Sequence, residues 1–447
     1  MNDRGEYRRE SNPHAFVLIV AALLFVQPVP AQENRPVVLN HADSLLGSVI
    51  GGEQVQALVG HVQLQQGNVH ITCDRALQYK SSGNVDLTGN VVVYDDSVTL
   101  IAPRGRYDRA ERRAEGFDSV SLDDGRVRLT ARYGWYLVEP RIAHFRDHVV
   151  VRDSASTIRA DSLTYHRNSR RSEAYGKVTI VNQSDNVTIT GGLLENDANT
   201  QYSRVTRHPL LLQIDTTAEG TLDTLFVRSI VMESYRGEPK RLIATDSVEI
   251  LRGELAAVAQ QVQFFTQGDS ILLRKSPVVW YQRTQVSGDS INVYLKNRKL
   301  YRVQVMESSL AVSESDSLHP DRLDQLTGEQ MHLMFANQRL SLIDVQTRSI
   351  SLYHLYDDSV SNGLNRTSGD RILMRFADGK LSTITVIGGV EGDYFPEDMI
   401  RGREGEYRLP GFFWREDRPR QQQFMPTGRT QRTAAINHPS PLQRPRH

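Results

Sequence analysis

Thirteen histidines, fifty-three acidic residues and a single cysteine are the reactive groups of this 447-residue chain. Their spacing decides what chemistry is open to them. A helical His-Glu-x-x-His would seat a catalytic zinc ion, and no such motif occurs. His144 and His148 stand four apart, which along an extended strand separates them by about 13 Å, too far to share an ion. Neither a Gly-x-Ser-x-Gly nucleophile turn nor a phosphate-cradling Gly-x-x-x-x-Gly-Lys loop is present. Asp95-Asp96, Asp123-Asp124 and Asp357-Asp358 have the residue types for calcium binding or glycan hydrolysis. Each falls between apolar runs, where aspartate is favoured because it hydrogen-bonds its own backbone in a turn. With Cys73 alone, an intramolecular disulfide and a thiolate metal cluster are both excluded. Arg104, Arg106, Arg109, Arg112 and Arg113 alternate with Asp108, Glu111 and Glu115, the pattern of a mixed solvated edge. Fifty-three basic residues balance the acids, so no global charge argues for nucleic acid. Trp280 and Tyr281 fit either a ligand-stacking patch or ordinary core packing. The residues imply no metal, no cofactor and no enzyme.

What the chain does carry is a period. Val62, Val91, Val120, Val149 and Val178 recur at a constant interval of twenty-nine. Two positions after each stands Leu64, Val93, Leu122, Val151 or Ile180; nine after stands Ile71, Leu100, Leu129, Ile158 or Val187. Eleven after come Cys73, Ala102, Ala131, Ala160 and Ile189, which makes Cys73 a small buried hydrophobe by position. Tyr107, Tyr136 and Tyr165 add an aromatic row. A fixed period means one supersecondary unit stacked many times, and the i, i+2 spacing makes each unit a pair of strands with one apolar face. Glu254 to Gln263 is locally helical by composition, but the repeat frame makes it strand. The fold class is therefore all-β, built of stacked antiparallel strand repeats. Two sheets facing each other would bury the apolar stripe as a closed core; sheets diverging along one edge would leave the same residues lining an open groove. The pattern permits both.

The organisation follows from where the period holds. Arg4, Arg8 and Arg9, then the apolar run Phe16 to Val26, then Val29-Pro30-Ala31, read as an export signal over residues 1–31; eleven apolar residues are too few to span a bilayer. A lead-in segment with little periodicity covers 32–57, and five regular units fill 58–195. An irregular insertion is expected over 196–243, because the interval from Val178 to Val248 is not a multiple of the period. The pattern returns over 244–411. There Gly288-Asp289, Gly328-Glu329 and Gly369-Asp370 mark a second repeat, with intervals of forty and forty-one, carrying Leu300/Val303/Val305, Leu340/Ile343/Val345 and Leu381/Ile384/Val386. From 412 to 447 arginine, glutamine and proline predominate and a disordered basic tail is expected.

The units Gly89-Asn90-Val91-Val92-Val93, Ala160-Asp161-Ser162-Leu163-Thr164-Tyr165 and Cys73-Asp74-Arg75-Ala76-Leu77 resemble the organic-solvent-tolerance, or OstA-like, family. That family includes the LptA-type periplasmic bridge proteins of lipopolysaccharide transport and the N-terminal domain of the outer-membrane assembly protein. The resemblance is clearest over 58–195 and recurs over 244–395. It implies an extended β-jelly roll, opened into a V, whose interior holds the acyl chains of lipopolysaccharide (its lipid A part) between the two membranes. It implies a periplasmic location, no enzymatic step, and edge-strand contacts with neighbouring jelly rolls and with the outer-membrane assembly protein. The residues expected to line such a groove are Val62, Leu64, Ile71, Val91, Val93, Leu100, Val120, Leu122, Leu129, Val149, Val151 and Ile158. The chain is longer than a typical bridge protein and lacks the many amphipathic strands of a membrane barrel. The rivals are a structural or adhesive β-solenoid with a closed core, and a polysaccharide-processing enzyme with carboxylates on one exposed face.

Overall fold

The computed structural model describes residues 35–425 apart from 97, 184–185, 217–219, 266–268, 297–298, 316–318, 358–359 and 379. Among them, thirty antiparallel strands join in one continuous hydrogen-bonded sheet. Strands pair with near neighbours in the chain, and the sheet is folded lengthwise into a β-jelly roll.

The fold line is written in the sequence. Strand Glu53–Gln66 shifts register between Val59 and Val62, where Gly60 and His61 take positive φ. The same corner recurs at Gly89-Asn90 within Val85–Asp95, at Asp118 before Val120, at Asp147-His148 within Ile142–Arg152, and at Gly176-Lys177 within Arg171–Asn182. Each corner stands just before one of the repeated valines. Left-handed backbone suits Gly, Asn and Asp and penalises most other side chains, so these residues bend the strand where they stand. At Gly89 the bend is also crowded. A Cβ there would run into the Asp74 carboxylate, which instead accepts a hydrogen bond from Asn90 Nδ2 at 2.9 Å.

Every corner divides its strand into a leading arm before the bend and a trailing arm after it, and the antiparallel returning strands follow the same two arms in reverse order, trailing first. Leading arms stack on leading arms and trailing on trailing, so two half-sheets face each other with the apolar rows between them. One core runs from Val37 to Val205 and a second from Leu211 to Met374. About ten units at roughly 10 Å each, two strands at 4.8 Å, give a rod on the order of 100 Å long.

Three expectations about the organisation are corrected. Residues 196–243 are not irregular: Tyr202–Thr206, Leu210–Thr216, Leu222–Arg228 and Val231–Tyr235 continue the sheet, with a corner at Arg207-His208. The unit here is merely longer, so a strict repeat frame misses it. Within the lead-in segment, Val38–His41 and Ser44–Ile50 pair with the two arms of Glu53–Gln66 and form the first rung. At the other end the sheet stops at Phe395, and residues 412–425 are packed rather than disordered. They belong to a strap, 396–425, that runs back along the outer face of the trailing arms. Ile400 and Leu409 cover Leu352 and Leu364; Phe412 and Trp414 cover Leu310, Val312 and Leu323; Phe424 covers Phe226, Leu251 and Trp280. Buried Gln285 donates to Phe413 O at 2.7 Å and accepts from Arg415 N at 2.8 Å. The outer face of these strands is itself apolar, and the strap removes it from water. Leu255–Phe265 is strand, as the repeat frame requires. Residues 1–34, with the expected export signal, and 426–447 lie outside the described residues.

Candidate functional site

The reactive groups singled out in the sequence do not converge. His148 is itself part of the corner at Asp147-His148, so straight-strand geometry does not apply to His144 and His148. His144 Nδ1 lies 3.0 Å from Thr164 Oγ1, its ring stacks on Trp135, and burial lowers its pKa. Arg104, Arg106 and Arg113 are paired with Asp118, Asp86 and Glu115, and Arg112 with Glu139. Trp280 is core, covered by Phe424, with the Arg415 guanidinium 6.0 Å from its ring. Among the described residues no group of three metal-ligating side chains comes together.

That leaves the interior between the arms. Of the twelve residues expected to line a groove, Val62, Leu64, Ile71, Val91, Val93, Leu100, Val120, Leu122, Leu129 and Val149 all point into it and are 4% exposed or less. Val151 and Ile158 are half-buried. The first units are thus closed, and the reason is a seam along the margin opposite the corners. Tyr107 Oη, at the far end of a leading arm, donates to Gln66 Oε1 at 2.6 Å, at the far end of a trailing arm. Tyr136 repeats the bond to Asp95 Oδ2 at 2.9 Å and Tyr165 to Asp124 Oδ2 at 3.1 Å. Arg112 Nη2 crosses the same margin to Asn68 Oδ1 at 2.7 Å, and Gln66 Nε2 donates to Arg35 O and Arg109 O. Burial pushes the Tyr107 and Tyr165 hydroxyls up to about 12; for Tyr136 burial and the Asp95 charge raise it further. All three remain protonated donors at neutral pH.

Sequence reasoning missed the seam although its signal was there. Gln66 to Tyr107, Asp95 to Tyr136 and Asp124 to Tyr165 share one separation, 41, which is the period plus twelve. Asp123 and Asp124 do serve their turn, accepting from Gly125 N, Arg126 N and Val127 N. The second oxygen of Asp124 serves the tyrosine.

The C-terminal half differs along this margin. Its far-end row on the leading arms is Leu295, Phe335 and Phe376, with Leu300, Leu340 and Leu381 beside it, all half-buried against the second core. None carries a hydroxyl that could tie one arm to the other. Tyr281, on a trailing arm, reaches the Phe335 ring edge-on at 6.3 Å.

A sequence profile described as OstA-like protein matches three overlapping windows, 34–108, 84–161 and 148–230. Residues 34–230 are OstA-like. The windows are repeats of one unit and cross the stretch where an insertion was expected. The solved structure of LptH, the LptA-homologous periplasmic component of the lipopolysaccharide transport device of Pseudomonas aeruginosa, is similar over 27% of this chain and 82% of that one, at 12% identity and a TM-score of 0.24. No curated protein matches the sequence.

Proposed function

We propose that the protein is a non-enzymatic lipopolysaccharide-transport component of the periplasm, in which the interior of the jelly roll shields acyl chains from water. One observation carries the reading: an apolar interior continues through an OstA-like repeat array, and its margin in the C-terminal half is lined by half-buried leucine and phenylalanine. Burying each acyl methylene contributes about 0.8 kcal/mol. Successive units offer nearly the same surface, so a chain can be held at one station and pass to the next with little net change. Edge-strand contacts with other jelly rolls of the transport bridge and with the outer-membrane assembly protein fit the two ends of the stack. Ser44–Ile50 leaves Leu46 and Val49 62% and 67% exposed, and Lys380–Ile387 lies near the opposite end. Unpaired strand edges accept further strands.

Photocrosslinkers placed at Leu300 and Leu340 in the exported chain test the reading, with mass spectrometry of the adducts. Lipid A adducts at both positions are expected; their absence at both overturns the proposal. The closed-core alternative is favoured locally by the tyrosine seam, which applies to the first units.

A further inference from the structure

The same two slots of the repeat change character along the rod. Two residues after each corner valine, Leu64, Val93 and Leu122 are sealed, whereas Val151 and Ile180 are half-buried. Nine after, Ile71, Leu100 and Leu129 are sealed, whereas Ile158 and Val187 are half-buried, the latter against the second core. Both rows open at the same place, and the seam ends there too. The next acceptor in the series, Asp153, turns back to Ala155 N, Ser156 N and the Ser156 hydroxyl. Register carries the tyrosine row from Tyr165 through Ser172 to Asn196. Asn196 turns its carbonyl oxygen to the Ser203 hydroxyl and Arg236 instead of crossing the margin. Ile189 touches both cores, so this is also the junction between them.

We infer that the interior is functionally divided: the units up to about residue 149 are a sealed strut, and hydrocarbon gains access through a lateral opening at the fifth unit, beside Ile180, Val187 and Ile189. The inference rests on the proposed lipid-shielding function and names where its ligand enters. The occupant is the acyl region of an anionic amphipathic lipid. Arg152 ends a trailing arm and Arg170 lies in a turn between leading arms, so the two stand on opposite margins of the opening. Both are exposed and neither side chain has an acidic partner among the described residues, unlike Arg104, Arg106, Arg112, Arg113 and Arg171. An apolar cleft flanked by unneutralised guanidinium groups suits apolar chains beneath a phosphate or carboxylate headgroup.

The single native cysteine makes the test clean. In a full-length Cys73→Ala background, matching Ala102 and Ala131 in the same slot, one cysteine is introduced at Val93, Leu122, Ile180, Val187 or Leu340. N-ethylmaleimide labelling rates are read by intact mass with and without micellar lipid A, and far-UV circular dichroism confirms folding. Ile180→Cys and Val187→Cys are expected to react at least tenfold faster than Val93→Cys and Leu122→Cys, and to be protected by lipid A. Equal rates at all four overturn the division while leaving the lipid reading intact. Protection at Leu340→Cys but not at Ile180→Cys or Val187→Cys overturns the opening. Protection nowhere removes the lipid reading and the inference with it. Asn196→Tyr, which extends the tyrosine row opposite Asp153, is expected to slow Ile180→Cys labelling severalfold, and Asn196→Phe is not. Equal effects of the two variants overturn the role of the seam.

Discussion

Replacing Tyr136 by phenylalanine removes one oxygen and leaves the ring, so no cavity forms and the effect isolates the seam. The lost bond is a hydroxyl donated at 2.9 Å to the carboxylate of Asp95, itself 1% exposed. Hydrogen bonds to charged groups contribute about 1.5–3 kcal/mol, and a buried acceptor left short of donors adds to the loss. Asp95 keeps a donor in Asn68 Nδ2 at 2.9 Å, which places the expected cost at about 2 kcal/mol, roughly a 30-fold change in the opening equilibrium. Native-state hydrogen exchange should show this in Val85–Asp95 and Tyr133–Leu137, with a matching fall in the urea midpoint. Tyr107→Phe, whose acceptor is the neutral Gln66, should cost about 1 kcal/mol. Tyr175→Phe, with an exposed hydroxyl on Glu173, should stay within about 0.5 kcal/mol. The contribution also has a pH signature. Tyrosines whose pKa is raised on folding stabilise fully below their unfolded value near 10, and that stabilisation is lost as pH rises through the folded values of about 12 and above. A Tyr136→Phe variant indistinguishable from Tyr175→Phe would refute the seam.

Gln285→Ala removes both hydrogen bonds holding the middle of the strap and should cost about 2–4 kcal/mol, seen as faster proteolysis within 396–425 and a red-shifted Trp280 emission. Burial pushes Glu397 up, but hydrogen bonds from Ser361 and Arg322 outweigh it and hold the carboxyl below its ordinary value. Its stabilising effect is therefore present above pH 4.5 and lost as pH falls through the folded value, so the strap should become protease-sensitive in acid before the sheet unfolds. Gly89→Ala combines a positive φ with collision against Asp74 and should lower stability by more than about 1 kcal/mol, partly recovered by Asp74→Ala; an additive double mutant measured by urea unfolding would contradict the crowding argument. Val93→Asp buries a charge in sealed core and should unfold the leading units, whereas Leu340→Asp at the half-buried margin should leave the circular dichroism spectrum intact and abolish lipid crosslinking.

The strand class, the repeat and the inward rows were legible in the sequence because strand periodicity is local. Val62 and Leu64 share a face whatever surrounds them, and Gly89-Asn90 names its own bend. Leu255–Phe265 was placed correctly for the same reason, the repeat frame overriding a helical composition. The longer unit across 196–243 was not legible, because its corner, Arg207-His208, lacks the glycine, asparagine or aspartate that marks the five corners before it. Nor was the strap. Arginine- and proline-rich sequence reads as unstructured until the second apolar face of the trailing arms, visible only after folding, gives Phe412, Trp414 and Phe424 something to cover. The choice between core and groove was likewise tertiary. Whether two half-sheets meet along their far margin depends on bonds between residues distant in the chain, Tyr136 to Asp95 in one unit and no such bond from Asn196 to Asp153 in another. Side chains that close a tube act only once its walls stand opposite each other.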